Sequence, residues 1–338
     1  MKHILVIRLS ALGDVAILAP ILKARAAANP DVHFTIAAPS LLQPLFEGID
    51  NIKFLGVNKK DGTHAIYRQL KSVKADAIAD LHKVNRVGHA LIMLQTDRLL
   101  HLKAPLPLCR MRKGRLSRWT FLHHIVRHPR RPQWQRYNDV FDRLGLAAGD
   151  PHTQIHLQPS TPLTIGIAPF AQHKGKIWPI ENTEKLVEML CMLNYSVKLF
   201  GSKAEAPQLE AIASRNEGAE SVAGRHTFSE ELEIIRSLDL MVSMDSSNMH
   251  FASAVGTPVV SIWGATHPDF GFYGFGQPRD FAICAGLKCQ PCSAYGSKPC
   301  RYGDYRCMSA ITPNDVMRKI LEIGKICDAD GKTHSTNT

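Results

Sequence analysis

The sequence predicts an α/β protein built from two doubly wound, Rossmann-like domains, each with a parallel sheet between layers of helices. Short apolar runs alternate with helical stretches along the chain, which is the pattern of parallel sheets. The alternation lapses near the middle of the chain and then starts again. The chain has 338 residues, enough for two domains of roughly 100–200 residues each.

The N-terminal domain is expected over residues 1–155. Its predicted strands lie at residues 4–7, 33–38, 52–55 and 77–81, and its predicted helices include 15–28 and 65–74. The pattern then lapses through a basic segment, residues 98–136. A linker follows, marked by Pro151, Pro159 and Pro162, because proline does not continue a helix.

The C-terminal domain is expected over residues 163–325. Its predicted strands lie at residues 163–168, 196–200, 240–244 and 258–263, and its predicted helices at 181–193, 206–214, 229–237 and 248–255. Residues 328–338 are polar and are expected to form a disordered tail. Ligands of doubly wound sheets bind at the carboxyl ends of the strands, so we expect the site in a cleft that both domains face.

The positive charge of the chain is concentrated in the basic segment. The formal net charge is +11, and residues 98–136 contain eleven basic side chains and no acidic one. Without this segment the chain is neutral. Such a segment attracts a polyanion, for which nucleic acid, an anionic membrane surface and an acidic soluble substrate are the candidates. The sequence contains no nucleic-acid-binding motif.

Other sequence features limit the location and the chemistry. No apolar run reaches the roughly 18 residues of a transmembrane helix, and the apolar run before Arg8 is too short for a signal peptide. A cytoplasmic protein is therefore expected. The sequence has no P-loop, no GxGxxG after the first strand, no GxSxG and no HExxH. ATP hydrolysis, ordinary dehydrogenase chemistry and serine hydrolysis are therefore disfavoured.

The loop after the first strand offers a carboxylate. Asp14 follows that strand through Gly13 and starts a helix. It is either a helix cap, since aspartate is a preferred capping residue, or a group that takes a proton from an attacking hydroxyl. Arg8 and Ser10 lie in the same turn and could contact a ligand.

A second candidate site is the run from Asp245 to His250, which follows an apolar strand and opens a helix. Free backbone N–H groups at a helix N-terminus bind anions, phosphate above all. The hydroxyls of Ser246 and Ser247 would add donors, and His250 lies on the same helix face as Ser246. The alternative is a run of capping residues beside a buried histidine.

Two further residues could contact a nucleotide. Lys176 lies on a glycine-containing loop between a strand and a helix, which suits a phosphate or is an ordinary surface loop. Glu205 follows a strand that ends at Gly201. Its carboxylate could bind ribose hydroxyls or favour the dipole at a helix start.

Four of the eight cysteines are close together near the C-terminal end. They are Cys289, Cys292, Cys300 and Cys307. A CxxC followed by two more thiols indicates either a four-sulfur structural zinc site or packed thiols without a metal. Structural disulfides are disfavoured in a reducing compartment.

Taken together, the motifs resemble those of the bacterial heptosyltransferases, the glycosyltransferase family 9 enzymes of lipopolysaccharide core assembly. The resemblance spans roughly residues 1–325 and rests on RLSALGD at 8–14, KIWP at 176–179, DSSNMH at 245–250 and GATHP at 264–268. It implies a GT-B fold, with the acceptor on the N-terminal domain and the nucleotide-sugar on the C-terminal domain. It also implies inverting transfer that needs no metal or other cofactor, apart from a structural zinc as an option.

The resemblance assigns roles to individual residues. Asp14 matches the family's general base. The implied donor-binding residues are Lys176, Glu205, Asp245, Ser246, Ser247 and His250. The expected acceptor-binding residues are Arg8, Ser10, Arg86, Lys113 and Arg115. The chain departs from the family where Ser246 and Ser247 replace a commoner Thr-Gly pair, and where His82 replaces a common glutamine.

The resemblance therefore predicts a heptosyltransferase that moves a heptose from ADP-L-glycero-D-manno-heptose to the inner core of lipopolysaccharide. Its partners would be the nucleotide-sugar and the acidic lipid A–inner core acceptor. It would be cytoplasmic and peripherally associated with the inner membrane, with no nucleic acid as partner. The alternatives are a family member with another donor or without turnover, and a nucleic-acid-binding protein that uses the basic segment.

Overall fold

The computed structural model describes residues 3–58, 60–151, 155 and 162–334, with side chains described as far as residue 324. It contains two compact units. The N-terminal unit comprises Met1–Gly114 and Arg131–His152, and the C-terminal unit comprises Arg115–Arg130 and Thr153–Thr338. Each unit contains a parallel sheet, so the predicted α/β class with two parallel-sheet domains is confirmed.

The first sheet has five parallel strands in the order β3-β2-β1-β4-β5. The elements up to residue 143 are β1 (His3–Ile7), α1 (Leu12–Ala28), β2 (His33–Ala38), β3 (Ile52–Gly56), α2 (Thr63–Ser72), β4 (Ala77–Asp80), α3 (Asn85–Leu100), β5 (Leu108–Arg110), α4 (Arg115–Leu122) and α5 (Gln133–Arg143). Strand β1 lies in the middle and is fully buried from Ile4 to Ile7. In register, Ile7 pairs with Ala37 of β2 and Asp80 of β4, so the loops after these strands start side by side.

The second sheet has six parallel strands in the order β11-β10-β9-β6-β7-β8. Its elements are β6 (Thr164–Ala168), α6 (Ile180–Met192), β7 (Ser196–Leu199), α7 (Ala206–Ala213), β8 (Ala219–Ser221), α8 (Phe228–Arg236), β9 (Leu240–Met244), α9 (Ser247–Val255), β10 (Val259–Trp263), β11 (Ala282–Cys284), α10 (Arg306–Ser309) and α11 (Pro313–His334). The central strands β6, β9 and β10 are adjacent. Their carboxyl ends therefore meet along one edge, which carries the predicted donor motifs.

The basic segment divides between the two units. Residues 115–130, which we call the arm, were expected in the first domain but pack on the C-terminal unit. The arm's Arg130 donates its backbone N–H to the Asp269 carbonyl at 2.8 Å and a guanidinium N–H to the Phe270 carbonyl at 3.0 Å. Phe121 packs edge-on against Phe270, with ring centroids 5.6 Å apart. These contacts join residues about 140 positions apart, and charge and composition gave no sign of them.

The last helix differs from the sequence-based expectation. Residues 328–334, predicted as a disordered tail, continue α11 as far as His334, and residues 335–338 lie outside the described residues. The helix begins with reciprocal hydrogen bonds between Thr312 and Asp315 and buries Val316 and Ile320. Once such a helix is nucleated, adding further residues costs little, so polar residues can extend it. Across the described residues, no helix combines the length and apolar character needed to cross a membrane.

Candidate functional site

Asp14 lies in the first turn of α1, where one of its carboxylate oxygens is held and the other is not. Its Oδ2 forms an ion pair with the Arg8 guanidinium and accepts a hydrogen bond from the Ala11 backbone N–H at 3.2 Å. Its Oδ1 is shielded from solvent and has no hydrogen-bond partner among the described residues. The carboxylate therefore stabilises the helix start through Oδ2 and could accept a proton at Oδ1.

Two buried residues fix this loop in place. Arg8 is buried and donates to the Leu81 carbonyl at 2.6 Å, at the end of the neighbouring strand β4. Tyr137 of α5 is fully buried and donates its hydroxyl to the Asp14 carbonyl at 3.1 Å. Burial raises the pKa of the Tyr137 phenol far above its usual value, so the phenol remains a proton donor. The Asp14 backbone is thus tied to α5, and its side chain is tied to Arg8.

The carboxyl ends of β4 and β5 add polar groups beside this loop. Ser10 Oγ lies 3.0 Å from His82 Nε2. Asp80 is fully buried at the end of β4, accepts the backbone N–H groups of His82 and Lys83 at 3.1 and 2.8 Å, and pairs with Arg110 at 3.2 Å. Asp80 therefore sets the turn that brings His82 to Ser10, next to the Asp14 loop.

The other three predicted acceptor contacts lie on separate elements. Arg86 is at the start of α3 and donates to the Asp61 carbonyl at 3.2 Å. Lys113 follows β5, and its carbonyl accepts a hydrogen bond from Arg136 at 3.3 Å. Arg115 is exposed at the start of α4, in the C-terminal unit. Their roles toward an acceptor stay predictions.

In the C-terminal unit, Lys176 and Asp245 form a partly buried ion pair. The Lys176 ammonium lies 2.8 Å from Asp245 Oδ2 and donates to the Asp245 carbonyl at 3.1 Å. The two side chains are 16% and 8% exposed. Thr266 donates its hydroxyl to the same Asp245 Oδ2 at 2.7 Å. Since these three residues follow β6, β9 and β10, one network joins the ends of three adjacent strands.

A backbone contact and a close-approach glycine support the Lys176 loop. Ala265 donates its N–H to the Gly175 carbonyl at 2.8 Å, which ties the loop after β6 to the loop after β10. Gly296 has φ +78°, and a Cβ there would lie 2.6 Å from Lys176 Cγ. Only glycine lets the cysteine-rich loop (residues 289–307) approach so closely, so this loop packs along the aliphatic part of Lys176.

The N-cap residue of α9, Ser246, does not cap the helix with its side chain. Ser246 has an extended backbone and makes no capping hydrogen bond. Its hydroxyl lies 3.3 Å from Ser243 Oγ instead. The first N–H groups of α9, from Ser247 onward, thus keep the donor capacity that favours an anion. His250 is buried one turn further along this helix.

Glu205 takes up a helix-start position. Its Oε2 accepts the Ser202 backbone N–H at 2.6 Å and the Ser202 hydroxyl at 2.8 Å, just before α7. These bonds support the alternative in which Glu205 stabilises a helix N-terminus. Ribose binding by this carboxylate stays a prediction.

The four clustered cysteines line one small cavity of about 10 Å³. Burial, reinforced by the other three thiols, raises the pKa of Cys307 to about 11. For Cys300 burial acts in the upward direction, but hydrogen bonds from nearby backbone N–H groups leave its pKa below the usual value. Within the described ranges, no group of three or more His, Cys, Asp or Glu side chains is arranged to hold a metal ion. The zinc site therefore stays a prediction, beside the alternative of packed thiols.

Three residues that organise the two sites had no role assigned to them from the sequence. Asp80 is the last residue of β4 and Thr266 lies three residues after β10, so their positions at strand ends could have selected both, as for Asp245. Tyr137 carries no comparable signal, because its contact with Asp14 joins two helices 123 positions apart in the sequence.

Comparisons with known proteins give a consistent result. The family described as glycosyltransferase family 9 (heptosyltransferase) matches residues 130–303, about half of the chain. Lipopolysaccharide core heptosyltransferase OpsX of Haemophilus influenzae is 22% identical over 286 residues, which cover 79% of this chain and 80% of that protein. Lipooligosaccharide heptosyltransferase 2 of the same species is 34% identical over 112 residues, which span 31% of this chain and 32% of that protein's length.

Among solved structures, the E. coli heptosyltransferase WaaC with ADP-2-deoxy-2-fluoro heptose superposes with a TM-score of 0.68 at 17% identity. The match covers 95% of this chain and 99% of the WaaC chain. Together with the two parallel sheets, it confirms the predicted GT-B fold class.

The different environments of the cysteines predict an order of alkylation. Treatment of the folded protein with iodoacetamide near neutral pH should modify Cys300 first and Cys307 much more slowly, because the thiolate is the nucleophile and the two pKa values are shifted in opposite directions. Peptide mass spectrometry over time would give the order. If all four thiols are equally protected from alkylation and a chelator abolishes that protection, the packed-thiol alternative is contradicted and the zinc site is supported.

Proposed function

The chain belongs to glycosyltransferase family 9, the heptosyltransferase family, and from that premise we propose that it transfers a heptose from ADP-L-glycero-D-manno-heptose to the inner core of lipopolysaccharide. The observation that carries the proposal is the family match over residues 130–303, a range that contains every predicted donor-binding residue. The name of OpsX and the ADP-heptose analogue in the WaaC structure support this acceptor and this donor.

The donor diphosphate would bind where Lys176 meets the N-terminus of α9. Asp245 holds the Lys176 ammonium in position, and Thr266 holds Asp245, so the cation is preorganised. Hydrogen bonds between an ammonium and a phosphate are charge-assisted, and the α9 N–H groups with His250 would add donors. These groups stabilise the charge that develops on the departing ADP. On this basis we propose that transfer needs no metal ion.

The proposed chemical step uses Asp14 as general base. The proton of an acceptor hydroxyl passes to Asp14 Oδ1, while the hydroxyl oxygen forms a bond to the anomeric carbon of the heptose. The bond between that carbon and the β-phosphate oxygen breaks, and its electron pair stays on ADP. Attack from the face opposite the leaving group inverts the anomeric centre. Arg8 and Tyr137 keep the carboxylate oriented through the contacts described above.

The acceptor would be the acidic lipid A–inner core at the cytoplasmic face of the inner membrane. Its phosphates and carboxylates suit the eleven basic side chains of residues 98–136, with Arg8, Ser10, Arg86, Lys113 and Arg115 as the proposed contacts. Each Lys or Arg near an anionic surface contributes on the order of 1 kcal/mol. Part of the segment would therefore suffice for peripheral association of a cytoplasmic enzyme.

The donor assignment predicts a selective thermal shift. ADP and ADP-heptose should raise the Tm of the purified protein by about 5–10 °C at roughly 100 times their Kd, and UDP and GDP should raise it less. The Lys176→Gln variant should bind ADP roughly 10- to 100-fold more weakly, since it loses a charged hydrogen bond.

Lys174→Gln is the matched control for this experiment. Lys174 lies in the same loop, is exposed, and contacts the Tyr305 ring rather than Asp245. Its variant should respond to ADP as the wild type does. A larger shift with UDP or GDP than with ADP would contradict the donor assignment, and equal losses in the two lysine variants would contradict the role of Lys176.

The assignment of Asp14 predicts a loss of turnover without a loss of donor binding. Asp14→Asn removes the proton acceptor but keeps an oxygen and a similar shape, so kcat should fall at least ~100-fold, the range of a lost general base. The ADP-induced thermal shift should remain unchanged. Asp31→Asn, an exposed aspartate elsewhere in the same unit, is the control. Wild-type kcat in Asp14→Asn would remove this residue from the mechanism.

A further inference from the structure

The arm (residues 115–130) has one face fixed on the C-terminal unit. The buried side chains of Phe121 and Arg130 supply the contacts to Phe270 described above, and the Arg130 guanidinium also stacks over the Phe270 ring at 4.7 Å. Arg118 donates to the Tyr295 hydroxyl at 2.9 Å. The arm is therefore held along its length, and the direction of its outer face is set by packing.

That outer face is apolar to a degree unusual for a surface segment. Leu116 and Trp119 are one turn apart on α4 and are 74% and 51% exposed. Ile125 is 62% exposed, whereas Val126 beside it is 38% exposed and lines a cavity against His267. Three large apolar side chains are thus more than half exposed within ten residues, although single exposed apolar residues are the norm on a soluble surface.

Cations flank these apolar side chains. Arg115 and Arg127 are exposed in the arm, and residues 98–136 contain no acidic side chain. Leucine, isoleucine and tryptophan mixed with arginine characterise helices that lie in a membrane interface, where the apolar groups enter the acyl boundary and the cations meet lipid phosphates.

We propose that the arm is a membrane-docking element that inserts Leu116, Trp119 and Ile125 into an anionic phospholipid bilayer. Arg127 contacts the lipid phosphates. The inference deepens the proposed function, which places the acceptor at a membrane but requires only long-range attraction by basic side chains. It adds a defined insertion face and an apolar contribution that salt does not screen.

The test is flotation of the full-length protein with phosphatidylcholine vesicles that contain or lack phosphatidylglycerol. The wild type should bind the anionic vesicles and keep part of this binding at high salt. Leu116→Ser combined with Trp119→Ser should bind at least ~10-fold more weakly. Arg127→Gln should bind about 5-fold more weakly at physiological salt and little differently at high salt.

Two matched variants serve as controls. Met192→Ser replaces an equally exposed apolar residue of the same unit outside the arm, and Arg236→Gln replaces an exposed arginine outside the arm. Both should bind vesicles as the wild type does. Binding that survives in the Leu116→Ser/Trp119→Ser variant would overturn the proposal. Arm variants that lose self-association or RNA binding but bind vesicles as the wild type does would also overturn the proposal.

The outcome is separable from that of the proposed function. Transfer to a lipid-free acceptor should be retained in the Leu116→Ser/Trp119→Ser variant, because neither side chain belongs to the donor or acceptor contacts. A wild type without transferase activity would overturn the proposed function and leave the vesicle result standing. A wild type that transfers heptose but does not bind vesicles would overturn the docking element alone.

Discussion

The ion pair between Lys176 and Asp245 is the interaction on which the proposed donor site depends. Both side chains are largely buried, and such a pair adds little net stability, because desolvation offsets the attraction. Removing one partner, however, leaves a buried charge uncompensated at a cost of about 3–5 kcal/mol. The value of the pair is therefore positional. It fixes an ammonium beside the N-terminus of α9, where an anion is also favoured by the helix dipole.

Other features of the C-terminal unit support the Lys176–Asp245 ion pair. The parallel order of β6, β9 and β10 brings three loops to one edge, and each contributes one member of the network: Lys176, Asp245 and Thr266. Gly296 allows the cysteine-rich loop to pack along the lysine stem. The segment between Cys292 and Cys300 thus packs directly against a residue of the proposed donor site.

The N-terminal unit uses the same principle for a carboxylate. Arg8 and the Ala11 N–H hold one oxygen of Asp14, and Tyr137 holds its backbone, so the free oxygen has a defined direction. This arrangement suits the proposed role of Asp14, because a reacting group held in advance needs little reorganisation in the transition state. Both units therefore present preorganised groups at the carboxyl ends of parallel strands.

Features that depend on neighbouring residues in the sequence could be predicted from it, whereas features that depend on contacts between distant residues could not. Strands such as Ile4–Ile7 are continuous apolar runs. Asp245 directly follows such a run and Asp14 lies at the start of the helix after one, so the local pattern was sufficient to select them. Helix α3 was not among the predicted helices, although Val87, Leu91 and Leu94, which are buried, recur at helical spacing along it. The packing of Phe121 on Phe270 and of Tyr137 beside Asp14 depends on contacts over more than 100 residues, which no local pattern encodes.

The proposed reaction moves a heptose from an ADP-linked donor to an inner-core acceptor. The most direct measurement is mass spectrometry of a lipid-free, heptose-deficient inner-core oligosaccharide after incubation with the purified protein and ADP-heptose. We expect a mass gain of one heptose, with ADP released in equal amount. An unchanged acceptor, or equal transfer from a UDP- or GDP-linked sugar, would contradict it.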